Sequence, residues 1–369
     1  MKLIHCADLH LDSKMTAHLP KDKQKQRKEE ILHTFLRMVD YAKGHQVDAL
    51  LLAGDVFDTG MVSAATKNAV YQAIVGNPQI TFFYLKGNHD KDGFLLDMEE
   101  GEQPENLKLF SHQWTYYKLG EDKNVTVAGL ELTESNRDSF FSQLSLEKDT
   151  FNIVLLHGQE TQYRGSEKAE VIPLRELENR NIDYLALGHV HSYKEGRLDA
   201  RGIWCYPGCL EGRGYDEAGE HGFVLLEVDF LRRRCHRQFV PFASRHIYRI
   251  KVDVTGCHDT REMEIRVKQE LQHQKCEERD MVKVTLVGEV PFDCQIHTQW
   301  LKGQFQSSFY HIRMEDQTTY ELDYESMLGE DTLKGEFVRS VVQDTTLSQE
   351  EKKQVIRYGM RMLAGEEME

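Results

Sequence analysis

No CxxC pair, no membrane-length apolar run and no basic excess is present in this 369-residue sequence. The seven cysteines are odd in number and scattered from Cys6 to Cys294, which excludes a disulfide framework and is the usage of a reducing compartment. No apolar stretch approaches the ~20 residues needed to cross a bilayer. The opening MKLIHCADLH reaches an Asp and a His with no signal-peptide core before them, so the expectation is a cytoplasmic protein without membrane attachment. The formal charge of -15 argues against tight electrostatic wrapping of nucleic acid by the whole surface, although a local basic groove or bound cations can reverse the field near a site. Repeats and low-complexity tracts are also absent.

What is present is a series of short buried-strand signals. The length predicts two domains, and 40% hydrophobic residues are enough for a full core. Five apolar runs, each bounded by turn signals, lie in KLIHCADLHLD (2–12), VDALLLAGDVFDTG (47–60), ITFFYLKGNHD (80–90), FNIVLLHG (151–158) and IDYLALGHVHS (182–192). Helical patterns separate several of them, including Ile31, Leu32, Phe35 and Val39, so an α/β or layered α-β-β-α core is expected. Every run ends in metal-ligand residue types. They supply Asp8 and His10, then Asp55, then Asn88 and His89, then His157, then His189 and His191. Loops at the carboxyl ends of neighbouring strands converge in α/β sheets, so five such endings can meet in one cleft. Glycines at 54, 87, 158 and 188 flank these residues and are expected to let the backbone turn sharply.

The candidate ligands combine carboxylate, imidazole and amide oxygen without thiolate, which excludes a structural zinc knot and favours hard-to-borderline ions. They are too many for one ion and suit two ions sharing a carboxylate. Such ions, about 3.5–4 Å apart, suit hydrolysis of phosphate esters by an activated water.

The series DLH, GDVFD, GNHD, LLHG and GHVH resembles the calcineurin-like metallophosphoesterase superfamily over residues 8 to 191. The resemblance implies a four-layer αββα sandwich with a dinuclear centre. It assigns one ion to Asp8, His10 and His191, the other to Asn88, His157 and His189, and the bridge to Asp55. It makes His89 the catalytic imidazole, acting on the leaving oxygen, with Asp58 as the partner that fixes its tautomer and raises its pKa. Asp90 reads as a supporting or turn-capping residue, and Asp12 as a solvated loop residue.

Three features point towards a nuclease within the superfamily. In GDVFDTG, Thr59 and Gly60 stand where phosphoprotein phosphatases carry an arginine after the second Asp. The stretch YPGCLEGRGYDEAGEHGFVLLEVD (206–229) is similar to the corresponding segment of SbcD-type DNA-repair exonucleases, with Cys209 in place of the usual Ser. There Tyr206, Pro207 and Gly208 would shape the cleft floor, and Arg213 either contacts phosphate or pairs with a nearby acid. Finally, the pattern changes beyond VPFASR (240–245). Tyr248, Ile250, Val252 and Val254 alternate as a half-exposed strand, Asp259 precedes a helix with Met263, Val267 and Leu271 on one face, and MVKVTLVG (281–288) is another strand. This resembles the α+β capping domain of the SbcD-like nucleases. The expected organisation is a nuclease domain over 1–242, a capping domain over 243–317 and a helical segment over 318–369 that either wraps its own domain or docks a partner. The resemblance implies DNA as substrate, Mn²⁺ as metal (Fe, Zn or Mg remaining open), 3′ to 5′ exonuclease polarity, a coiled-coil ATPase partner of the SMC/Rad-fifty type, and a homodimer formed through helices such as 61–76 and 93–100.

Neither half of the chain is a basic platform: 1–242 carries net -8 and 243–369 net -7. The local candidates for DNA contact are KDKQKQRK (21–28), with Lys21, Lys23, Lys25 and Arg27, and RRRCHR (232–237). Two other readings stand beside the nuclease: a nucleotide or cyclic-nucleotide phosphodiesterase, and a DNA-end or ATPase-binding protein with vestigial catalysis.

Overall fold

The computed structural model describes residues 1–15, 19–58, 62–90, 103–120, 124–161, 170–291, 294–320, 329 and 331–363. The chain divides into two compact units, Met1–His246 and Ile247–Glu369.

The first unit is built on two six-stranded sheets. One contains β1 (Lys2–Cys6), β2 (Ala49–Ala53), β3 (Thr81–Leu85), β4 (Leu107–Leu109), β13 (Gly222–Asp229) and β14 (Arg234–Pro241), in the order β14-β13-β1-β2-β3-β4. The other contains β5 (Thr115–Leu119), β6 (Val125–Gly129), β7 (Phe151–His157), β10 (Tyr184–Gly188), β11 (Lys194–Arg197) and β12 (Ile203–Tyr206), in the order β11-β12-β10-β7-β6-β5. The short strands β8 (Gln159–Thr161) and β9 (Val171–Pro173) pair with each other.

Strand periodicity explains the layering. Side chains alternate across a strand, so a fully apolar strand presents one set of residues to each face. In β2, Ala49 and Leu51 face a core shared with Ile153, Leu155, Tyr184 and Ala186 of the second sheet. Leu50 and Leu52 face the opposite way, against Ile31, Phe35, Met38 and Val39 of α1 (Lys21–Gly44) and Val70 and Ile74 of α2 (Ala64–Val75). On the second sheet, Val154, Leu156, Leu185 and Leu187 meet Phe140 of α3 (Phe140–Gln143) and Leu174 and Leu177 of α4 (Leu174–Leu177). The result is the expected four-layer αββα sandwich.

Parallel pairing then aligns the functional strand ends. Cys6 pairs with Leu52, and Ala53 with Leu85, so the segments after β1, β2 and β3 leave one sheet at the same level. Gly188 pairs with His157, which does the same for β7 and β10.

The second unit has a parallel sheet in the order β15 (Ile247–Asp253), β16 (Met281–Val287) and β18 (His311–Asp316). Its α5 (Thr260–His273) begins where the Asp259 side chain accepts the Arg261 and Glu262 N–H groups, and it buries Met263, Val267 and Leu271. Helix α6 (Thr298–Phe305) contributes Leu301 and Phe305 to the same core. The two-residue strands β17 (Glu289–Val290) and β19 (Thr319–Tyr320) pair in parallel. Helices α7 (Leu333–Gln343) and α8 (Gln349–Leu363) pack through Val338, Val341, Ile356 and Met360. Among the described residues, no helix is long and apolar enough to cross a membrane.

Candidate metal centre

The strand ends converge through hydrogen bonds within the first sheet and across to the second. The Asp8 N–H donates to Gly54 O at 3.0 Å and the His10 N–H to Asp55 O at 2.9 Å, locking the DLH segment onto the GDVFD segment. Across the sheets, the His189 N–H donates to both Asp8 carboxylate oxygens, at 2.9 and 3.0 Å. The Asp55 Oδ1 accepts the His89 N–H at 2.8 Å.

Several of the residues carrying the chemistry hold positive φ: Asp8 at 52°, His10 at 45°, Asp55 at 52° and His189 at 101°. Such backbone is sparsely populated by residues with a Cβ and persists only where the surroundings enforce it. The flanking glycines serve a different purpose from the one expected at two positions. Gly87 and Gly188 lie outside the left-handed region, and they are needed for close approach. A Cβ on Gly87 would lie 2.1 Å from Asp55 Oδ1, and one on Gly188 would lie 1.9 Å from Ala53 O. Only Gly54, at φ 94°, and Gly158, at φ 158°, have positive φ among the four.

Among the described residues three donor groups form, in each of which the ligand atoms lie within 4.8 Å of one another: Asp8–His10–His191, Asp8–Asp55–His157 and His10–Asp58–His89. In the first, His10 Nε2 and His191 Nε2 face each other at 3.2 Å. In the second, His157 Nδ1–H donates to Ala53 O at 2.9 Å, which turns Nε2 towards Asn88 Oδ1 at 3.0 Å and Asp55 Oδ2 at 3.3 Å. Two oxygens facing one imidazole nitrogen require a positive species between them, a proton or a metal cation. The electrostatics say the same. Burial opposes charge on His157, yet Asp55 and Asp8 outweigh it and raise its pKa to about 9. Burial likewise works against ionisation of Asp55, but His157 and the His89 N–H hold it well below the carboxylate range. Burial pushes Asp8 up to about 6 and His10 down to about 3. This buried, thiolate-free set of facing lone pairs fits divalent cations.

The third group contains the candidate catalytic histidine. His89 Nδ1–H donates to Asp58 Oδ1 at 2.9 Å, and its ring meets His10 edge-on with centroids 5.0 Å apart. Asp58 and His89 line a cleft of about 300 Å³ with Ser13, Lys14, Arg213, Gly214, Asp216 and Glu217. Seven of the nine sequence-predicted metal and catalytic residues thus fall into the three donor groups. Asn88 joins the second through His157, while His189 sits beside His157 with ring centroids 5.4 Å apart and belongs to none of the three.

The candidate substrate cations separate. Lys21 and Lys25 are exposed on the first turns of α1, Lys25 within 3.9 Å of Glu29. Arg27, expected with them, is fully buried. It donates to Glu30 at 2.6 Å, Glu211 at 3.0 Å and Gly212 O at 2.7 Å, so it anchors α1 to the 206–214 loop and is unavailable to a substrate. Arg213 forms the ion pair left open by the sequence, with Glu217 at 2.6 Å, while still lining the cleft. Asp12, expected to be a solvated loop residue, accepts the Ser63 N–H at 2.8 Å. The helix expected over 93–100 and the Thr59–Gly60 pair lie outside the described residues.

Two further carboxylates support the centre, Asp90 in the loop-holding part that the sequence suggests and Glu217 in one that it does not announce. Asp90 accepts the N–H groups of Phe57 at 2.7 Å, Gly87 at 3.0 Å and Val56 at 3.2 Å, which clamps the loop of Asp55 to that of Asn88. Glu217 accepts from His191 Nδ1–H at 2.8 Å. Its only sequence signal is its place in the 206–229 segment. The Tyr206–Cys209 turn lies under the same histidine: Cys209 N–H donates to His191 O at 3.1 Å, and the Cys209 thiol is buried beside His221 Nδ1 at 3.2 Å.

A sandwich whose strand ends gather carboxylates and imidazoles around cation-sized gaps is the architecture of a metal-dependent phosphoesterase. The family model for calcineurin-like phosphoesterase matches residues 1–193, more than half of the chain, and the chain belongs to that family. It is 28% identical over 242 residues to the metallophosphoesterase YhaO of Bacillus subtilis (strain 168), covering 62% of this chain and 57% of that one. It is 27% identical over 245 residues to the DNA double-strand break repair protein Mre11 of Saccharolobus solfataricus, covering 61% and 60%. Over a shorter stretch of 103 residues it is 34% identical to the SbcD component of the SbcCD nuclease of Escherichia coli (strain K12), covering 27% and 24%. The chain therefore spans less than two thirds of the length of each of these relatives. These likenesses fit an SbcD-like branch of the family.

Proposed function

We propose that this chain is a DNA phosphodiesterase of the SbcD-like repair type, acting as a 3′ to 5′ exonuclease. The observation that carries the proposal is the His89–Asp58 pair on the wall of a cleft shared with Arg213 and Lys14, directly beside the buried donor groups. The functions that two relatives are named for, double-strand break repair and a nuclease, support DNA as the substrate.

In this reading Asp8, His10 and His191 would hold one divalent cation, Asn88, His157 and His189 would hold the other, and Asp55 would serve both. When bound, the pair supplies Lewis-acid stabilisation of the phosphoryl oxygens and an acidified water. Manganese suits the mixed oxygen and nitrogen donors. The chain's own residues do the rest. With Nδ1–H committed to Asp58, Nε2 of His89 is the atom that exchanges a proton with the departing sugar 3′ oxygen. Arg213 and Lys14 offset the phosphate charge in the cleft. Lys21, Lys23 and Lys25 engage the DNA backbone further along the strand. The protein works in the cytoplasm as a homodimer with a coiled-coil ATPase of the SMC/Rad-fifty type.

Purified protein with Mn²⁺ tests this on end-labelled duplex, single-stranded DNA and bis-p-nitrophenyl phosphate. Stepwise release of nucleotides from 3′ ends is expected. Hydrolysis of the small diester without DNA cleavage, alone or with the ATPase, would refute DNA as the substrate.

A further inference from the structure

We infer that Glu217 is the positioning residue for one cation site and not for the other, an inference that rests on the metal reading above. An imidazole has two nitrogens, and only the unprotonated one can bind a cation. For His191 Nε2 to offer its lone pair towards Asp8 and His10, the proton must sit on Nδ1. Glu217 Oε1 accepts that proton at 2.8 Å; Arg213 Nη2 also approaches the same nitrogen, at 3.2 Å, but points its closer hydrogen bond to Glu217 Oε1 at 2.6 Å, so the carboxylate is the group that sets tautomer and ring orientation.

Glu217 is itself held from several sides. Its Oε2 accepts the Arg213 N–H at 2.6 Å, and its Oε1 accepts Arg213 Nη2 at 2.6 Å and Nε at 3.0 Å. Its main-chain oxygen accepts His221 Nε2–H at 2.7 Å. His221 Nδ1 in turn meets the Cys209 thiol, whose own N–H donates to His191 O. The 209–221 loop therefore closes on His191 from both its ring and its backbone.

The second site is oriented differently. There His157 Nδ1–H donates to Ala53 O, a backbone carbonyl at the end of β2. One histidine is thus aimed by an anionic side chain and the other by a neutral backbone group that no side-chain substitution removes. A carboxylate behind a ligating imidazole also makes that imidazole a stronger ligand. The two cation positions consequently differ in their dependence on residue 217. Glu217 acts through His191 and also holds Arg213 against the cleft wall, so it couples the ligand set to the residue facing the substrate.

Calorimetric titration of the full chain with Mn²⁺ alone, without DNA, tests this, with circular dichroism and urea unfolding confirming the fold. The wild type is expected to take two ions. Glu217→Ala is expected to keep one at unchanged affinity and to bind the other about 10–100-fold more weakly. Glu217→Gln keeps an oxygen for His191 and is expected to show a smaller loss at the same single site. Should the alanine variant not fold, the glutamine variant carries the test. Two ions bound at wild-type affinity, or equal weakening of both in a folded variant, would overturn the inference. Failure of the wild type to bind a pair of ions would instead overturn the metal reading on which it rests.

Discussion

Asp58 is expected to act only through His89, and a double-substitution cycle measures that dependence. Replacing His89 with Gln removes the proton-exchanging atom from the cleft. General acid–base catalysis is typically worth about 10²–10⁴-fold, or ~2.7–5.5 kcal/mol of barrier, and that loss in kcat is expected. Replacing Asp58 with Asn removes the charge from a 2.9 Å hydrogen bond but leaves a side chain of nearly the same shape. Charge-assisted hydrogen bonds contribute about 1.5–3 kcal/mol. The His89 side chain is 36% exposed, so water competes for this bond, and the lower part of that range applies. The expected loss is ~10–30-fold, about 1.4–2 kcal/mol. Because the carboxylate works by orienting the imidazole, the double variant should be no slower than His89→Gln alone. The assay is single-turnover cleavage of labelled DNA at saturating Mn²⁺, with metal binding measured on each variant because Asp58 Oδ1 also lies 3.9 Å from His10 Nδ1. Losses that add in the double variant, with metal binding intact, would show that Asp58 has a task independent of His89 and would refute the reasoning.

Other predictions concern the frame around the centre. Arg27→Met should destabilise the first unit by about 3–5 kcal/mol in urea unfolding, since it leaves the buried Glu211 charge uncompensated with only the Thr34 hydroxyl and Ser244 N–H to hold it, and Arg27→Met with Glu211→Leu should recover part of that. Burial holds His5, between the sheets and 2.8 Å from the Tyr184 hydroxyl, at a pKa of about 3. The unfolded chain therefore binds a proton there that the folded chain does not. Relative to His5→Leu, the wild type should lose stability as the pH falls from 6.5 towards 3, by at most about 1.4 kcal/mol per pH unit. A chelator should lower the unfolding temperature of the wild type, and excess Mn²⁺ should raise it, because cations that bind only the folded state stabilise it by mass action. Charge reversal at Lys21 and Lys25 should weaken DNA binding and flatten its salt dependence, whereas Arg27 substitutions that preserve folding should leave the salt slope unchanged.

Much of the site could be read in the sequence because strand ends and ligand types coincide there. A run such as LLLAGD has no helical face to offer, so Asp55 must lie at the end of a buried strand. The helix over Thr260–His273 was equally legible, from the Asp259 cap and the four-residue spacing of Met263, Val267 and Leu271. Arg27 was not. In KDKQKQRK it looks like every other cation, and its burial depends on Glu211, 184 residues away in the chain. Glu217 was hidden for the same reason, since its partner His191 lies 26 residues earlier and loop carboxylates are common. The positive φ of Asp8, His10, Asp55 and His189 had no local signal either, because the partners these turns meet are distant in the chain: the Asp8 and His10 N–H groups donate to Gly54 O and Asp55 O, and the His189 N–H to the Asp8 carboxylate.

The central claim is that these donors hold two cations side by side. Crystals grown with Mn²⁺ and measured for anomalous scattering test it directly. Two anomalous peaks about 3.5–4 Å apart are expected, with Asp55 between them. A single peak, or peaks away from Asp55 at full Mn²⁺ saturation, would contradict it.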